Sequence, residues 1–288
     1  MKPPSNRNYY LLAAGLTAVT VGVFACQSDG PAIGAGDMAS AAQAVYVPPG
    51  EYDEFYAFMS GGFSGQMTVM GLPSGRLLRT VPVFSQHPEN GYGYSEETKA
   101  MLETSYGFIP WDDAHHPELS MTDGVPDGRW IFINGNNTPR VARIDLNSFE
   151  TTEILEIPNS AGNHGSPFIT PNSDYLVAST RFSVPIPNRD MSIEEYKGNF
   201  KGTLSFVRAD VPGEMDVAFQ ILMPVYDYDL AHAGKGPSDG WMFFTSYNSE
   251  EEHTLLEINA SRKDKDFIAA VNYRRAEQCI ADGAGQDM

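Results

Sequence analysis

The sequence predicts an all-β fold, a β-propeller of about four blades; four can close a ring, though more are usual. Three observations point there. From residue 53 onward, short runs rich in Val, Ile, Phe and Tyr are separated by turn residues, with little amphipathic helix between them. A loose internal repeat organises the runs: Asp127-Gly128-Arg129-Trp130, Asn172-Ser173-Asp174-Tyr175 and Ser238-Asp239-Gly240-Trp241 each place turn residues before an aromatic and a hydrophobic strand. The units span roughly 40–60 residues, the size of a blade. Each blade buries one face on each neighbour, so an incomplete ring leaves apolar faces open. A β-sandwich is the alternative reading of the same pattern.

The expected strands follow in order: Glu54–Met59, Gln66–Met70 and Leu77–Pro82, then Trp130–Asn134, Arg140–Asp145 and Thr151–Ile157. Tyr175–Thr180, Gly202–Arg208 and Val217–Met223 form the next group, and Trp241–Tyr247, His253–Glu257 and Asp266–Asn272 the last. Apolar and polar residues alternate in several of them, as in a strand with one face buried. One short helix is expected at Ser95–Glu103. Loops that enter the innermost strand of a blade point at the central axis. Asp113–Asp127 and Ala161–Pro171 both precede such strands, so their side chains are expected to converge at the hub.

Residues 1–25 read as an export signal, with Lys2 and Arg7 ahead of the apolar stretch Tyr9–Ala25 and no Arg-Arg pair. The stretch ends Val23-Phe24-Ala25-Cys26, which resembles a lipoprotein cleavage site and makes Cys26 the candidate for lipidation. Residues 26–52, small and polar, are expected to be a flexible tether ahead of the propeller domain, 53–288. Cys279 is the only other cysteine, so no disulfide framework holds the fold and a packed core must do so. The net charge is −18. Without Lys2 and Arg7 the balance is 17 basic against 37 acidic residues, a net −20. So acidic a surface argues against nucleic acid and against adsorption to anionic lipid, and suits a cationic partner such as a basic electron carrier.

The candidate chemistry lies in Asp112-Asp113-Ala114-His115-His116 and Asn163-His164-Gly165, which hold three of only six histidines. Neutral imidazole is a common ligand of copper and zinc. Neighbouring side chains on a strand point to opposite faces, so adjacent histidines meet one ion only across a turn, or serve different metals of one cluster. Asp113 is placed to accept a hydrogen bond from the outer ring nitrogen of one histidine and fix its tautomer. His87, His232 and His253 read as ordinary solvated turn residues. Gly234-Lys235-Gly236 lacks the strand–helix context of a phosphate loop.

Longer words carry a resemblance. Asp113-Ala114-His115-His116, Leu119-Ser120-Met121-Thr122-Asp123-Gly124, Asp127-Gly128 and Phe132-Ile133-Asn134 resemble nitrous oxide reductase, and so does Asn137-Thr138-Pro139-Arg140-Val141-Ala142-Arg143-Ile144. Gly61-Gly62-Phe63-Ser64-Gly65-Gln66, Asn163-His164-Gly165 and Tyr247-Asn248-Ser249-Glu250 join them in family order. Absence of a twin-arginine signal resembles the Sec-exported branch of that family. The resemblance implies a periplasmic, seven-bladed propeller with a sulfide-bridged copper cluster at its hub, and a C-terminal cupredoxin domain with a dinuclear copper site. The activity implied is two-electron reduction of nitrous oxide to dinitrogen and water, the last step of denitrification. A cytochrome c or similar electron donor and a homodimer are also implied.

Residue by residue, His115, His116 and His164 match cluster ligands and Asp113 a carboxylate that supports them. Tyr247, Glu250 and Asp266 match a structural calcium site. The resemblance covers roughly the first half of the enzyme; the later blades, further cluster histidines and the cupredoxin domain lie outside it. The expectation is a truncated chain, inactive alone, whose full-length parent reduces nitrous oxide. The competing expectation is a lipid-anchored periplasmic propeller that only binds a partner.

Overall fold

The structure, a computed structural model, describes residues 35–165, 167–192, 194–195, 199–223, 226–249 and 268–285. Met1–Ala44 and Val45–Met288 are separate compact units. In the first, α1 (Ala35–Ala44) is a helix inside the stretch expected as a tether. Its Ala, Met and Gln residues are strong helix formers, a preference that a reading for small polar residues overlooks. The expected export signal and Cys26 lie outside the described residues.

The second unit is four antiparallel meanders in chain order. Blade 1 comprises β1 (Phe55–Ser60), β2 (Gln66–Leu72) and β3 (Leu77–Pro82). A connection with α2 (Glu96–Ala100) and the hairpin β4 (Glu103–Thr104) and β5 (Gly107–Phe108) leads on. Blade 2 is β6 (Glu118–Thr122), β7 (Val125–Asn134), β8 (Arg140–Asp145) and β9 (Glu150–Glu156). Blade 3 contains β10 (Phe168–Ile169) and β11 (Tyr175–Ser179), then a side hairpin of β12 (Val184–Pro185) and β13 (Phe200–Lys201), then β14 (Thr203–Arg208) and β15 (Asp216–Leu222). Blade 4 is β16 (Tyr226–Ala233), β17 (Trp241–Ser249) and β18 (Ile268–Asn272), followed by helix α3 (Tyr273–Ala281).

Side-chain alternation makes these sheets stack. In β7, Trp130 and Phe132 enter a core shared with Leu176, Ala178 and Val207 of blade 3. Ile131 and Ile133, on the opposite face, enter a core shared with Met67, Val69 and Val81 of blade 1. Blade 3 repeats the device: Val177, Leu204 and Phe206 turn towards Met242 and Phe244 of blade 4. A strand buried on both faces reads as a continuous apolar run, which is why the Trp130–Asn134 segment is so hydrophobic. Each fully buried Phe or Ile contributes about 1.5–3 kcal/mol relative to exposure. Stacking of successive four-stranded and three-stranded meanders through their faces is propeller architecture.

The sequence reading places the blade openings one strand late. Trp130 lies midway along β7, and Tyr175 and Trp241 start β11 and β17, each the second strand of its blade. Among the first strands, β10 lies against both β6 and β16, and these strands line the hub. The strand expected at His253–Glu257 lies outside the described residues, and helix α3 follows β18 where the sequence reading placed no element. Asn272 caps α3 by accepting the Arg275 N–H (2.9 Å), and exposed Cys279 sits on it.

Hairpin β6–β7 turns on Asp123-Gly124, both at positive φ (52° and 72°), the chemistry of a two-residue turn. Just beyond it, Asp127 accepts hydrogen bonds from Ser120 Oγ (2.5 Å), Thr122 Oγ1 (2.9 Å), Arg129 N (3.1 Å) and Arg129 Nε (2.8 Å). Burial alone would raise its pKa; the donors from Arg129, Ser120 and Thr122 outweigh it and hold the carboxyl well below the usual range. A depressed carboxylate stabilises the fold at neutral pH, and that contribution fades as pH falls through the acid range, from about pH 5 to about pH 1. Urea midpoints of wild type and Asp127→Asn are therefore expected to differ most near neutrality and to converge in acid.

Candidate metal centre

His115 and His116 lie in the connection that enters β6, and His164 in the one that enters β10. The main chain ties the first connection down. Ala114 forms isolated bridges with both Gly62 and Gly135, and the His115 N–H donates to the Asn134 carbonyl (3.0 Å). Beneath it, buried Asp112 accepts from Asn137 N (2.9 Å), Thr138 N (2.9 Å) and its own neighbour Asp113 N (2.7 Å), and also from Thr138 Oγ1. Neither histidine lies in a regular strand, so the adjacent side chains are free of strand alternation and their rings meet.

Ring centroids are 4.6 Å apart for His115–His116, 4.6 Å for His115–His164 and 5.1 Å for His116–His164. One ring nitrogen from each lies within 4.8 Å of the other two. The three sequence-predicted ligands therefore form one cluster, and among the described residues it is the only such group of potential metal donors. His232 is exposed on β16 and is not in the cluster.

Asp113 is nearly buried, with its Oδ2 accepting from Asn136 Nδ2 (3.2 Å). Its Oδ1 stands 3.5 Å from His115 Nδ1 and makes no hydrogen bond. The carboxylate that does hydrogen-bond an imidazole is Asp229 of β16, 3.1 Å from His164 Nδ1. Sequence reasoning passed over Asp229, which is 65 positions from its partner on an unassigned hub strand. Gly165 makes the contact possible: a Cβ there would come within 1.9 Å of Asp229 Oδ1 and 2.7 Å of its carbonyl carbon.

Burial pushes the pKa of His116 down, and the charges His115 and His164 would carry push it further. Burial also lowers His164, against the opposing pull of Asp229. Both rings are thus neutral near pH 7, each with a lone pair to offer a cation. His116 Nε2 is buried with no hydrogen-bond partner. A polar atom stranded in that way has a cost unless a ligand completes it. Three clustered imidazoles, one stranded nitrogen and two carboxylates behind them suit a borderline transition metal. Of the residues the resemblance assigns to calcium, Tyr247 lies on β17, while Glu250 and Asp266 lie outside the described residues.

No family model matches the chain. Among curated proteins it is similar to the nitrous-oxide reductase of Pseudomonas fluorescens, 33% identical over 271 residues that are 94% of this chain and 40% of that protein. It is also similar to the nitrous-oxide reductase of Stutzerimonas stutzeri, 31% identical over 242 residues, 84% of this chain and 36% of that protein. Among solved structures, Kuenenia stuttgartiensis hydrazine synthase superposes with a TM-score of 0.47 at 12% identity, covering 77% of this chain and 49% of that one. The chain spans about two fifths of the length of those curated relatives. Over that span, the chain belongs to the nitrous-oxide reductase family.

Proposed function

We propose that this propeller supplies copper ligands to a protein that reduces nitrous oxide to dinitrogen and water. The observation that carries the reading is the convergence of His115, His116 and His164 from two connections, in a chain whose curated relatives are named nitrous-oxide reductases. When bound, a multinuclear copper centre supplies the electrons and the site of attachment for an inert gas that ligates metals poorly.

The chain's own residues do the rest. His115, His116 and His164 would offer ring nitrogens to hold the centre at the end of the hub. Asp229 accepts the Nδ1–H of His164, which leaves Nε2 as the ligand atom and fixes the ring plane. Asp113 adds negative charge beside His115 without competing for its lone pair. The rest of the cluster, the electron donor, the dimer and the periplasmic setting belong to the same proposal.

Three measurements test it. Protein produced in copper-replete periplasm is expected to carry copper in place of zinc and to absorb visible light; zinc with a colourless site would contradict the reading. The 288-residue chain alone is expected to show no nitrous oxide turnover, with activity restricted to a longer protein that contains it. Asp229→Ala is expected to lower metal affinity about 10–100-fold, the usual effect of removing a carboxylate behind a ligating histidine. Competition with a chromophoric chelator reads that loss.

A further inference from the structure

We propose that Asn134 is a positioning residue that sets the spacing between the two histidine-bearing connections. The inference deepens the copper reading and rests on it for the identity of the ligand, though not for the geometry. Asn134 is the last residue of β7, and its side chain is fully buried. Its Oδ1 accepts the His116 N–H (2.8 Å). Its Nδ2 donates to the carbonyls of Asn163 (2.7 Å) and His164 (3.1 Å). With its own carbonyl bonded to the His115 N–H (3.0 Å), one residue touches the main chain beside all three imidazoles.

The chemistry demands an asparagine. A carboxamide carries an acceptor and a two-hydrogen donor on one rigid plane, which matches one N–H on one side and two carbonyls on the other. The network fixes its orientation: flipped, the amide oxygen would face two carbonyl oxygens and the NH2 would face an N–H. Aspartate has the same shape and keeps the bond to His116. It sets a second carboxylate oxygen against the two carbonyls, which repels the His164 connection. Alanine severs both sides. No other side chain among the described residues bonds both connections at the main chain next to the histidines.

The test adds one equivalent of copper(II) to the chain and to His164→Ala, Asn134→Asp and Asn134→Ala, and counts coordinated imidazoles by pulsed EPR. Far-UV circular dichroism and a melt establish that each is folded. Three imidazoles are expected in wild type, and two in His164→Ala and both Asn134 variants. Apparent affinity is expected to drop about tenfold or more in the Asn134 variants. Folded Asn134→Asp with three imidazoles and wild-type affinity would overturn the proposal. Should Asn134→Ala fail to fold, the isosteric aspartate carries the test.

A metal-free arm separates this inference from the copper reading. In wild type the rings of His116 and His164, 5.1 Å apart, are expected to give a nuclear Overhauser effect; Asn134→Asp is expected to lose it. Wild type lacking three-imidazole copper but showing the ring contact defeats the copper reading alone. Persistence of the contact in Asn134→Asp defeats the role of Asn134 alone.

Discussion

The double replacement His115→Ala/His116→Ala is expected to bring copper retention down to background and to abolish nitrous oxide reduction in the longer protein. Two of the three clustered donors go, and His164 alone cannot hold an ion against competing water and thiols. The fold is expected to survive. His115 is partly exposed, and the bonds that fix this connection run from the His115 and His116 N–H groups to Asn134, so they outlast loss of the rings. Removing His116 also removes a buried nitrogen with no partner, which relieves a cost. The melting temperature is therefore expected to hold while copper is lost. His87→Ala, outside the cluster, is the control and is expected to keep wild-type copper. Unchanged copper content in the double variant would instead support a propeller that only binds a partner.

Asp112→Ala is expected to have the largest effect on stability, a loss of about 3–5 kcal/mol, the usual result of leaving a buried charge without its partner. Asp112 and Arg140 are both essentially inaccessible to water, with 3.6 Å between Oδ2 and Nη2. Arg140 also donates from Nε to Thr138 Oγ1 (2.7 Å), from Nη1 to the Ile109 carbonyl (3.1 Å) and from Nη2 to the Trp111 carbonyl (3.2 Å). Its guanidinium lies 5.1 Å from the Phe84 ring centre. Without Asp112 the positive charge stays buried with neutral acceptors only. The N–H groups of Asn137 and Thr138 lose their acceptor as well. Urea unfolding at neutral pH measures the loss; a change of less than about 1 kcal/mol, the scale of an exposed ion pair, would contradict this account. The same variant is expected to loosen the approach to His115, because Asp112 anchors the chain three residues upstream.

The fold was legible where a strand runs about six residues in β-forming side chains. Leu77–Pro82 and Arg140–Asp145 emerge at the bounds the apolar pattern suggests. Hub strands were not legible, for three different reasons. Phe168–Ile169 is too short to show a period, and Glu118–Thr122 mixes buried Ser120 and Met121 with polar neighbours. Tyr226–Ala233 does alternate, but its aspartates resemble a solvated turn until Asp229 is seen under His164. Helix α3 escaped notice because Tyr273–Ala281 is only nine residues long and carries two adjacent arginines in its first turn, so its apolar stripe spans too few turns to stand out.

The histidine cluster was legible as a motif, since an adjacent pair and one distant imidazole suffice to suggest a metal. Its support was not. Asn134 looks like the end of a strand, and the bonds it makes to Asn163 and His164 span 29 and 30 positions. Such partners are set by the stacking of blades, which no local pattern encodes. The expected bond from a histidine to Asp113 gave way to Asn136, which takes one carboxylate oxygen and leaves the other 3.5 Å from His115.

Anomalous diffraction at the copper absorption edge, from crystals of the copper-loaded protein, tests the central claim most directly. The account predicts copper peaks at the end of the hub, at about 2.0–2.1 Å from ring nitrogens of His115, His116 and His164, as imidazole ligation of such metals requires. Copper bound elsewhere, with the three rings left unligated, would contradict it.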